Sequence, residues 1–224
     1  MKQKITCFCE NAFDAEIPDE IDLDSGNSLE EIANGSFLNF NCPSCGKKHK
    51  PEFQLSLVWP SKNLRFEVFP ELDRGEFYRR KKQPQEKLFG DKKPYKLETI
   101  IGFPEMADRL EVLKNGLEPA VIEAIKYYLY LKAEEQYPDD ELEIWFFASA
   151  PEQGSGEPGS LEFHIHGIHR ESAEGEVAVM KIPGSLYKKT LEDYKKDPRG
   201  ELFSALRVRS YLSVKNTMRP EQFS

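Results

Sequence analysis

The sequence predicts an α+β protein in which a small N-terminal β module is followed by helices packed on an antiparallel sheet. Three observations carry this prediction. Short strand patterns and four cysteines occupy residues 1–71. Residues 72–95 are rich in charge, Pro and Gly, which is typical of a linker or long loop. Residues 96–224 combine helical periodicity with three further strand patterns, so we expect an α+β region there.

Composition sets the broad class of the protein. The chain has 224 residues, of which 39% are hydrophobic and 31% charged, enough to bury a core in one domain or two small ones. No apolar run approaches the roughly 20 residues that span a bilayer, and residues 2–4 lead into Cys7 without the apolar core of a signal peptide. We therefore expect a cytoplasmic protein without a membrane partner. The sequence does not indicate an oligomeric state.

Charge is unevenly distributed along the chain. Residues 1–45 carry a net charge of −7, residues 46–96 carry +7, and the remainder carries −8. Only the middle segment could attract a polyanion, and the acidic flanks oppose long-range steering towards nucleic acid. We therefore expect a protein partner, with nucleic-acid binding through the basic segment 47–93 as the alternative.

Short strands and turns alternate through the N-terminal module. Four strand patterns are present, at residues 5–9, 13–17, 53–59 and 64–69. Ser28 followed by Glu31 is a capping-box pattern, which predicts a short helix ending near Gly35. Residues 36–41 then run extended into the second cysteine pair.

The four cysteines form two close pairs, Cys7 with Cys9 and Cys42 with Cys45. Residues i and i+2 of a strand share a face with Cα atoms about 6.6 Å apart. Two thiolates on one zinc ion need sulfurs roughly 3.8 Å apart, so Cys7 and Cys9 can converge. A turn at Pro43 brings the second pair together in the same way. Because clustered cysteines in a reducing compartment favour metal over disulfides, we predict a zinc-ribbon-like module with one structural zinc ion per chain.

Two alternatives concern these same residues. A Cys-Pro-Ser-Cys sequence also occurs in redox dithiols, but there the second cysteine enters a helix, and the segment from Gly46 to Pro51 is not a helix start. His49 could replace a cysteine of the first pair as fourth ligand, since Cys₃His sites occur. With four positions filled, none is open to water, and we expect no metal catalysis at the site.

The second cysteine pair lies in the segment NGSFLNFNCPSCG, residues 34–46, and the first pair precedes it on a strand. Together with residues 100–102 and 116–126, these motifs resemble the CpXC family of bacterial and archaeal proteins. The resemblance implies two paired-cysteine motifs acting together and implies no activity. The family usually has two residues between the first two cysteines, whereas this chain has only Phe8.

Seven basic residues would carry the nucleic-acid alternative: Lys47, Lys48, Lys50, Arg79, Arg80, Lys81 and Lys82. Aromatic residues at positions 77, 78, 89 and 95 could stack on bases. Charge runs usually serve solubility, so we favour a solvated connection as the interpretation of this segment.

After residue 96 the patterns predict two helices, then three consecutive strands, then two further helices. The patterns predict helices at residues 104–114, 119–136, 186–196 and 201–214, and strands at residues 141–149, 161–168 and 176–182. The helix at 119–136 has Val121, Ile125, Tyr128, Leu129 and Lys132 along one stripe, which predicts packing on a sheet.

One strand carries a second candidate site. Glu162, His164 and His166 point to one side of it, and His169 follows. Two histidines at i and i+2 can share a metal ion, so this face could serve a metal-dependent hydrolase. The same alternation is typical of any half-solvated strand, and the sequence contains no Gly-rich phosphate loop or nucleophile elbow. The sequence favours a non-catalytic, zinc-stabilised interaction or regulatory protein over an enzyme.

Overall fold

A computed structural model describes residues 2–79, 95–138, 140–152, 154, 158–168 and 177–218 of the chain. The chain divides into two compact units, Met1–Ala107 and Asp108–Ser224. Each unit combines helices with β-structure, which confirms the mixed class of the prediction.

The first unit carries two small hairpins and a larger sheet. Its strands are β1 (Lys2–Thr6), β2 (Ala12–Glu16), β3 (Glu20–Asp22), β4 (Phe40–Asn41), β5 (Lys48–His49), β6 (Leu55–Trp59), β7 (Leu64–Phe69) and β8 (Lys96–Ile101). Its helices are α1 (Ser28–Ala33) and α2 (Arg74–Arg79), and the unit boundary falls inside α3 (Phe103–Lys114). The small hairpins are the antiparallel pairs β1–β2 and β4–β5.

The larger sheet is mixed, so the prediction of an antiparallel sheet is wrong here. Strands of the first unit follow the order β3, β6, β7, β8. Only β6 and β7 pair antiparallel, as the predicted hairpin, whereas β3–β6 and β7–β8 are parallel. Parallel neighbours need long crossover connections, and the segments containing α1 and α2 provide them. Strand β6 is buried at every position, which is typical of a strand covered on both faces.

Helix α1 lacks the predicted capping box. The helix begins at Ser28, and the capping position is Asn27, whose carbonyl oxygen accepts the Glu31 amide at 2.9 Å. No side chain caps this end of the helix. The pattern predicted the element and its length, but Ser28 lies inside the helix, one position too late to cap it.

The segment predicted as a linker begins with regular structure. Helix α2 lies within it, and the Arg74 guanidinium donates to the Ile101 carbonyl at 3.0 Å and to Glu105 at 2.6 Å. Residues 80–94, including Arg80, Lys81 and Lys82, lie outside the described residues. The boundaries at residues 71 and 95 stay predictions.

The second unit contains an antiparallel sheet with helices packed on it. Its elements after α3 are α4 (Pro119–Gln136), β9 (Glu143–Pro151), β10 (Pro158–His166), β11 (Ala178–Pro183), α5 (Gly184–Lys196), α6 (Glu201–Ala205), β12 (Arg207–Val208), β13 (Tyr211–Leu212) and α7 (Lys215–Met218). Strand β10 pairs antiparallel with β9 and β11, as predicted. Val121 and Ile125 of α4, Tyr187 of α5, and Leu161 and Phe163 of β10 share one core.

The last predicted helix is largely wrong. Residues 201–214 form only the short helix α6, after which β12 and β13 make a tight hairpin. Arg209 in its turn has φ = 58°, a left-handed conformation that ends helical geometry. Val208 and Tyr211 are β-branched and aromatic residues, which favour strands, and tertiary packing buries Tyr211 fully.

Helix α4 is buried around most of its N-terminal half. Residues 119–126 are all buried, including the charged Glu123 and Lys126. Two members of the predicted stripe, Tyr128 and Lys132, are instead exposed. None of the helices in the described ranges is long and apolar enough to cross a membrane.

Candidate metal centre

The two small hairpins of the first unit bring the four cysteines together. Cys7 and Cys9 lie in the turn between β1 and β2, and Cys42 and Cys45 lie in the turn between β4 and β5. All four Sγ atoms lie within 4.8 Å of one another. The closest approaches join the two turns: Cys7 to Cys45 and Cys9 to Cys42, each at 3.6 Å. The four cysteines therefore form one cluster that can bind one metal ion.

The first half-site, residues 7–11, is closed by backbone hydrogen bonds. The Cys7 amide donates to the Asn11 carbonyl at 2.9 Å, and the Glu10 amide donates to the Cys7 carbonyl at 2.9 Å. The Cys9 backbone also hydrogen-bonds to the Cys7 thiol. The turn therefore holds both sulfurs on one side even though only Phe8 separates the two cysteines.

The second half-site, residues 42–47, has the same layout with one more residue. The Cys42 amide donates to the Lys47 carbonyl at 2.9 Å, and the Gly46 amide donates to the Cys42 carbonyl at 2.8 Å. Backbone groups of Ser44 and Cys45 hydrogen-bond to the Cys42 sulfur. The missing residue of the first pair thus shortens the turn without changing how it closes.

Both turns need a left-handed residue directly after their second cysteine. Gly46 has φ = 73° and Glu10 has φ = 65°. Glycine adopts this conformation without steric cost, whereas a residue with a side chain is strained in it. Backbone strain of this kind persists where the surrounding structure imposes it, and it clusters at functional sites.

The surroundings of Cys7 and Cys42 shift the pKa values of their thiols in opposite directions. Burial raises the pKa of Cys42, but the backbone groups of Cys45 and Ser44 and the thiols of Cys7 and Cys9 lower it more, to about 6. The opposite holds for Cys7: a backbone hydrogen bond with Cys9 lowers its pKa, but burial and the three other thiols together raise it to about 12. The Cys42 thiol therefore ionises more easily than the Cys7 thiol, and the thiolate is the form that ligates metal.

His49 lies beside the cluster rather than within it. Its Nε2 atom is 3.2 Å from the Cys7 sulfur, and the group whose ligand atoms are all in mutual reach comprises the four cysteines. Its ring also meets Phe8 with centroids 6.3 Å apart and Phe13 at 6.0 Å. The Asn11 amide approaches the Cys42 sulfur at 3.8 Å. His49 and Asn11 are placed to hydrogen-bond to sulfurs of the cluster, and sequence reasoning missed Asn11.

The donor set suits one soft or borderline cation. Two thiolates on a tetrahedral ion with metal–sulfur bonds of about 2.3 Å require sulfurs roughly 3.8 Å apart. The 3.6 Å separations across the two half-sites approach this value. Cys7 and Cys42 are buried and Cys9 and Cys45 are exposed, so the site is anchored on one side and reachable from solvent on the other.

The second predicted site is not assembled as a ligand group. Glu162 and His164 approach each other at 3.3 Å, and the second carboxylate oxygen of Glu162 lies 3.2 Å from Lys181. Hydrogen bonding to Lys181 and to His164 lowers the pKa of Glu162. Among the described residues, the cysteines alone bring three or more potential ligands into mutual reach, and His166 joins no such group. His169 lies outside the described residues.

The described basic residues that would carry nucleic-acid binding, Lys47, Lys48, Lys50 and Arg79, are exposed. Lys47, Lys48 and Lys50 lie in or beside β5, and the Lys47 ammonium lies 4.3 Å from the ring centroid of Phe8. Phe8 itself is 85% exposed. Arg79 donates to the Gly75 carbonyl within α2 at 3.2 Å.

A buried ion cluster in the second unit was not predicted. Lys126 contacts Asp108 at 2.5 Å and Glu123 at 3.2 Å, while Arg109 lies 3.7 Å from Glu123. Backbone amides complete it, from Phe146 to Asp108 at 2.6 Å and from Val214 to Glu123 at 2.7 Å. The only sequence signal was the charge of Glu123 and Lys126 within the otherwise apolar residues 119–131 of α4.

The fold and the cysteine cluster define a mixed α/β protein with a four-cysteine metal site carried by two small hairpins. Comparison with known sequences gives the family. CpXC protein is the family that matches residues 5–126, and the chain belongs to it. The chain is also similar to an uncharacterized protein of Treponema pallidum (strain Nichols), with 30% identity over 223 residues, 95% of this chain and 97% of that protein. No solved structure matches the chain.

Proposed function

We propose that this CpXC protein is a non-catalytic interaction or regulatory protein whose N-terminal, zinc-ribbon-like module is held together by one structural zinc ion. Cys7, Cys9, Cys42 and Cys45 are the proposed ligands. The observation that carries the proposal is the mutual reach of the four sulfurs, within 4.8 Å. Four thiolates fill a tetrahedral zinc site, and a filled site leaves no position for a reacting water.

Zinc is favoured over other metals by the donors and their number. Thiolates select zinc, copper(I) or iron–sulfur chemistry, and tetrahedral sites with four sulfurs are typical of zinc or iron. Zinc sites of this kind stabilise small domains that lack a large core of their own. The hairpins β1–β2 and β4–β5 fit that description, because β4 and β5 have only two residues each.

The metal assignment is tested by composition and by substitution. Purified protein is expected to hold one zinc ion per chain by elemental analysis. Replacing Cys42 and Cys45 together by serine removes half of the ligands and is expected to abolish metal binding and folding of the module. His49→Ala is the matched control, because a side chain that only hydrogen-bonds to a ligand sulfur can be lost while the ion stays bound. Iron in place of zinc, or four freely reactive thiols in the native protein, would refute the proposal.

The partner is tested separately from the metal. A protein partner is expected to co-purify with the zinc-loaded protein from native cells after chemical cross-linking. Nucleic-acid binding is the competing outcome. The exposed Lys47 beside the exposed Phe8, together with the exposed Lys48 and Lys50, favours it locally. It predicts an RNA or DNA shift at about 50 mM salt that weakens steeply as salt rises. Absence of any shift under those conditions removes this second candidate.

A further inference from the structure

Helices α4, α5 and α6 border an open groove of about 500 Å³ in the second unit. Its apolar lining includes Tyr128, Leu186, Leu202 and Phe203. Tyr128 is 52% exposed and Leu186 is 36% exposed, although both are large apolar side chains. Leu131 follows Tyr128 by one helical turn and is 45% exposed. Contiguous exposed apolar side chains of this kind mark interaction sites.

The charged lining of this α4–α5–α6 groove is predominantly acidic. Asp193, Asp197 and Glu201 contribute three carboxylates, against the single ammonium of Lys189. Within the described part of the chain, Asp193 and Glu201 make no ion pair. All three carboxylates are exposed to solvent. They offer a negative potential next to apolar surface.

Contacts among its lining residues fix the shape of the α4–α5–α6 groove. The ring of Phe203 packs edge-on against Tyr194 with centroids 4.9 Å apart. The turn that carries Asp197 is closed by the Gly200 amide, which donates to the Asp197 carbonyl at 3.1 Å. Thr190 anchors its hydroxyl on the Leu186 carbonyl at 2.9 Å. A site of fixed shape loses little conformational entropy on binding, which favours specific recognition.

We propose that the α4–α5–α6 groove binds a basic peptide segment of a protein partner, one that carries at least one large apolar side chain. The apolar side chain covers Tyr128 and Leu186, and the basic side chains pair with Asp193, Asp197 and Glu201. Charge complementarity selects this occupant, because the groove is acidic and the whole chain has a net charge of −8. The site lies outside the cysteine cluster and goes beyond the proposed zinc-dependent role.

Three fluorescent twelve-residue peptides test the proposal on the full-length, metal-loaded protein. One alternates lysine with leucine, one alternates lysine with serine, and one alternates glutamate with leucine. Only the lysine–leucine peptide is expected to bind, and its affinity should fall as salt is raised because exposed charges are screened. Equal binding of the lysine–serine peptide, or of the polyamine spermidine, would show that apolar contact has no role and would overturn the proposal. Binding of the glutamate–leucine peptide would overturn the charge argument.

Matched variants locate the site. The triple change Asp193→Asn, Asp197→Asn and Glu201→Gln is expected to weaken binding about tenfold. Its control is Asp14→Asn, Glu30→Gln and Glu31→Gln, which removes the same charge from exposed positions of the first unit. Equal loss in both would mean that only net charge matters, which contradicts the proposal. Leu186→Ser is likewise compared with Val179→Ser, at another exposed apolar side chain.

Two further measurements protect the interpretation of these variants. Thermal unfolding and zinc content are recorded for each one, so that loss of peptide binding is distinguished from loss of fold and from failure of the zinc assignment. Amide chemical shifts of the unmodified protein are recorded with the lysine–leucine peptide and should move around Tyr128, Leu186 and Phe203. Shifts confined to other surfaces would overturn the proposal. So would sedimentation showing that a second copy of the chain fills the groove, with Leu186→Ser restoring the monomer.

Discussion

The cysteine cluster of the first unit and the ion cluster of the second unit both bring polar side chains together, but they balance charge differently. Asp108 and Glu123 are matched by Lys126 and Arg109, and backbone amides complete their hydrogen bonds. The sulfurs of the four cysteines contact one another, with Asn11 and His49 beside them. A polar cluster that finds its counter-charges within the chain is structural, whereas a cluster of like groups needs a ligand.

The pKa shifts in the ion cluster reflect this pairing of opposite charges. Burial alone lowers the pKa of a lysine, yet Asp108 and Glu123 raise that of Lys126 above its usual value. Burial opposes ionisation of Glu123, but Lys126 and Arg109 lower its pKa nonetheless. For Asp108 the burial effect wins and its pKa is raised. The opposite charges of the ion cluster therefore stabilise one another within the chain.

Removal of the metal is the largest expected effect. A strong chelator should withdraw about 10 kcal/mol of apparent stabilisation from the cysteine-bearing hairpins. Hydrogen exchange should show loss of protection at the Cys7, Cys42 and Gly46 amides, whose bonds close the two half-sites. The amides of Phe146 and Val214, bound to the ion cluster, should keep their protection. Unchanged exchange at Gly46 after complete removal of zinc would contradict the comparison.

Lys126→Met tests the opposite cluster and should have the next largest effect. It leaves Asp108 and part of Glu123 buried without their cation, and such a loss typically costs about 3–5 kcal/mol of unfolding free energy. Urea denaturation measures it. Lys132→Met, at an exposed position of the same helix, is the control and should change stability by less than about 0.5 kcal/mol. Equal effects of the two variants would show that the ion cluster does not stabilise the unit.

Glu67 is intermediate between the two clusters. Its buried carboxylate has polar partners, but they only partly offset the cost of burying its charge. Arg65 lies 3.3 Å away and Ser56 at 3.5 Å, but burial outweighs them and raises the pKa of Glu67 from 4.5 to about 7. The folded state therefore binds more protons than the unfolded state between these two values. Unfolding free energy should fall as pH rises through this window, by at most roughly 1.4 kcal/mol per pH unit.

Glu67→Gln is expected to remove that slope, because the amide does not titrate. Denaturant unfolding at several pH values between 4.5 and 7 measures it. Glu30→Gln, at an exposed carboxylate, should leave the slope unchanged. A Glu67→Gln profile parallel to the unmodified protein would show that Glu67 is balanced as fully as the ion cluster.

The smallest expected effects come from one substitution in each half-site. The two substitutions should change the stability of the module in opposite directions. Glu10→Gly removes the side chain that is strained in the left-handed conformation. It should stabilise the module by up to about 1 kcal/mol. Gly46→Ala adds a side chain at the equivalent position and should destabilise it by about 1–2 kcal/mol. Unfolding midpoints of the zinc-loaded proteins measure both changes. Destabilisation by both variants would mean that the Glu10 side chain has a role beyond its backbone conformation.

The cysteine cluster was predictable from sequence because its signal is local. Spacing within each pair and the strands on either side were sufficient to bring Cys7, Cys9, Cys42 and Cys45 together. The shorter first pair could not be judged from spacing alone. Its solution depends on a left-handed Glu10, and no sequence rule assigns that conformation to a glutamate with any frequency.

The mixed sheet and the ion cluster were not predictable for a different reason. The strand patterns predicted β6 and β7 but not β3 or β8. They also do not say which strands are neighbours, and parallel pairing depends on crossovers far apart in sequence. Asp108 meets Lys126 only after α3 and α4 have packed. Helical periodicity also assigned Tyr128 to the core, whereas α5 and α6 leave it at the mouth of a groove.

Each sulfur of the first half-site lies closest to a sulfur of the second, Cys7 to Cys45 and Cys9 to Cys42. This arrangement has a consequence during protein synthesis. Translation proceeds at about 5–20 residues per second, so the second half-site leaves the ribosome about 2–7 s after the first. During that interval the growing chain presents two thiols without the partners that complete their site. For the proposed zinc site, assembly therefore requires that the first two thiols stay reduced and that zinc is available until the second pair emerges.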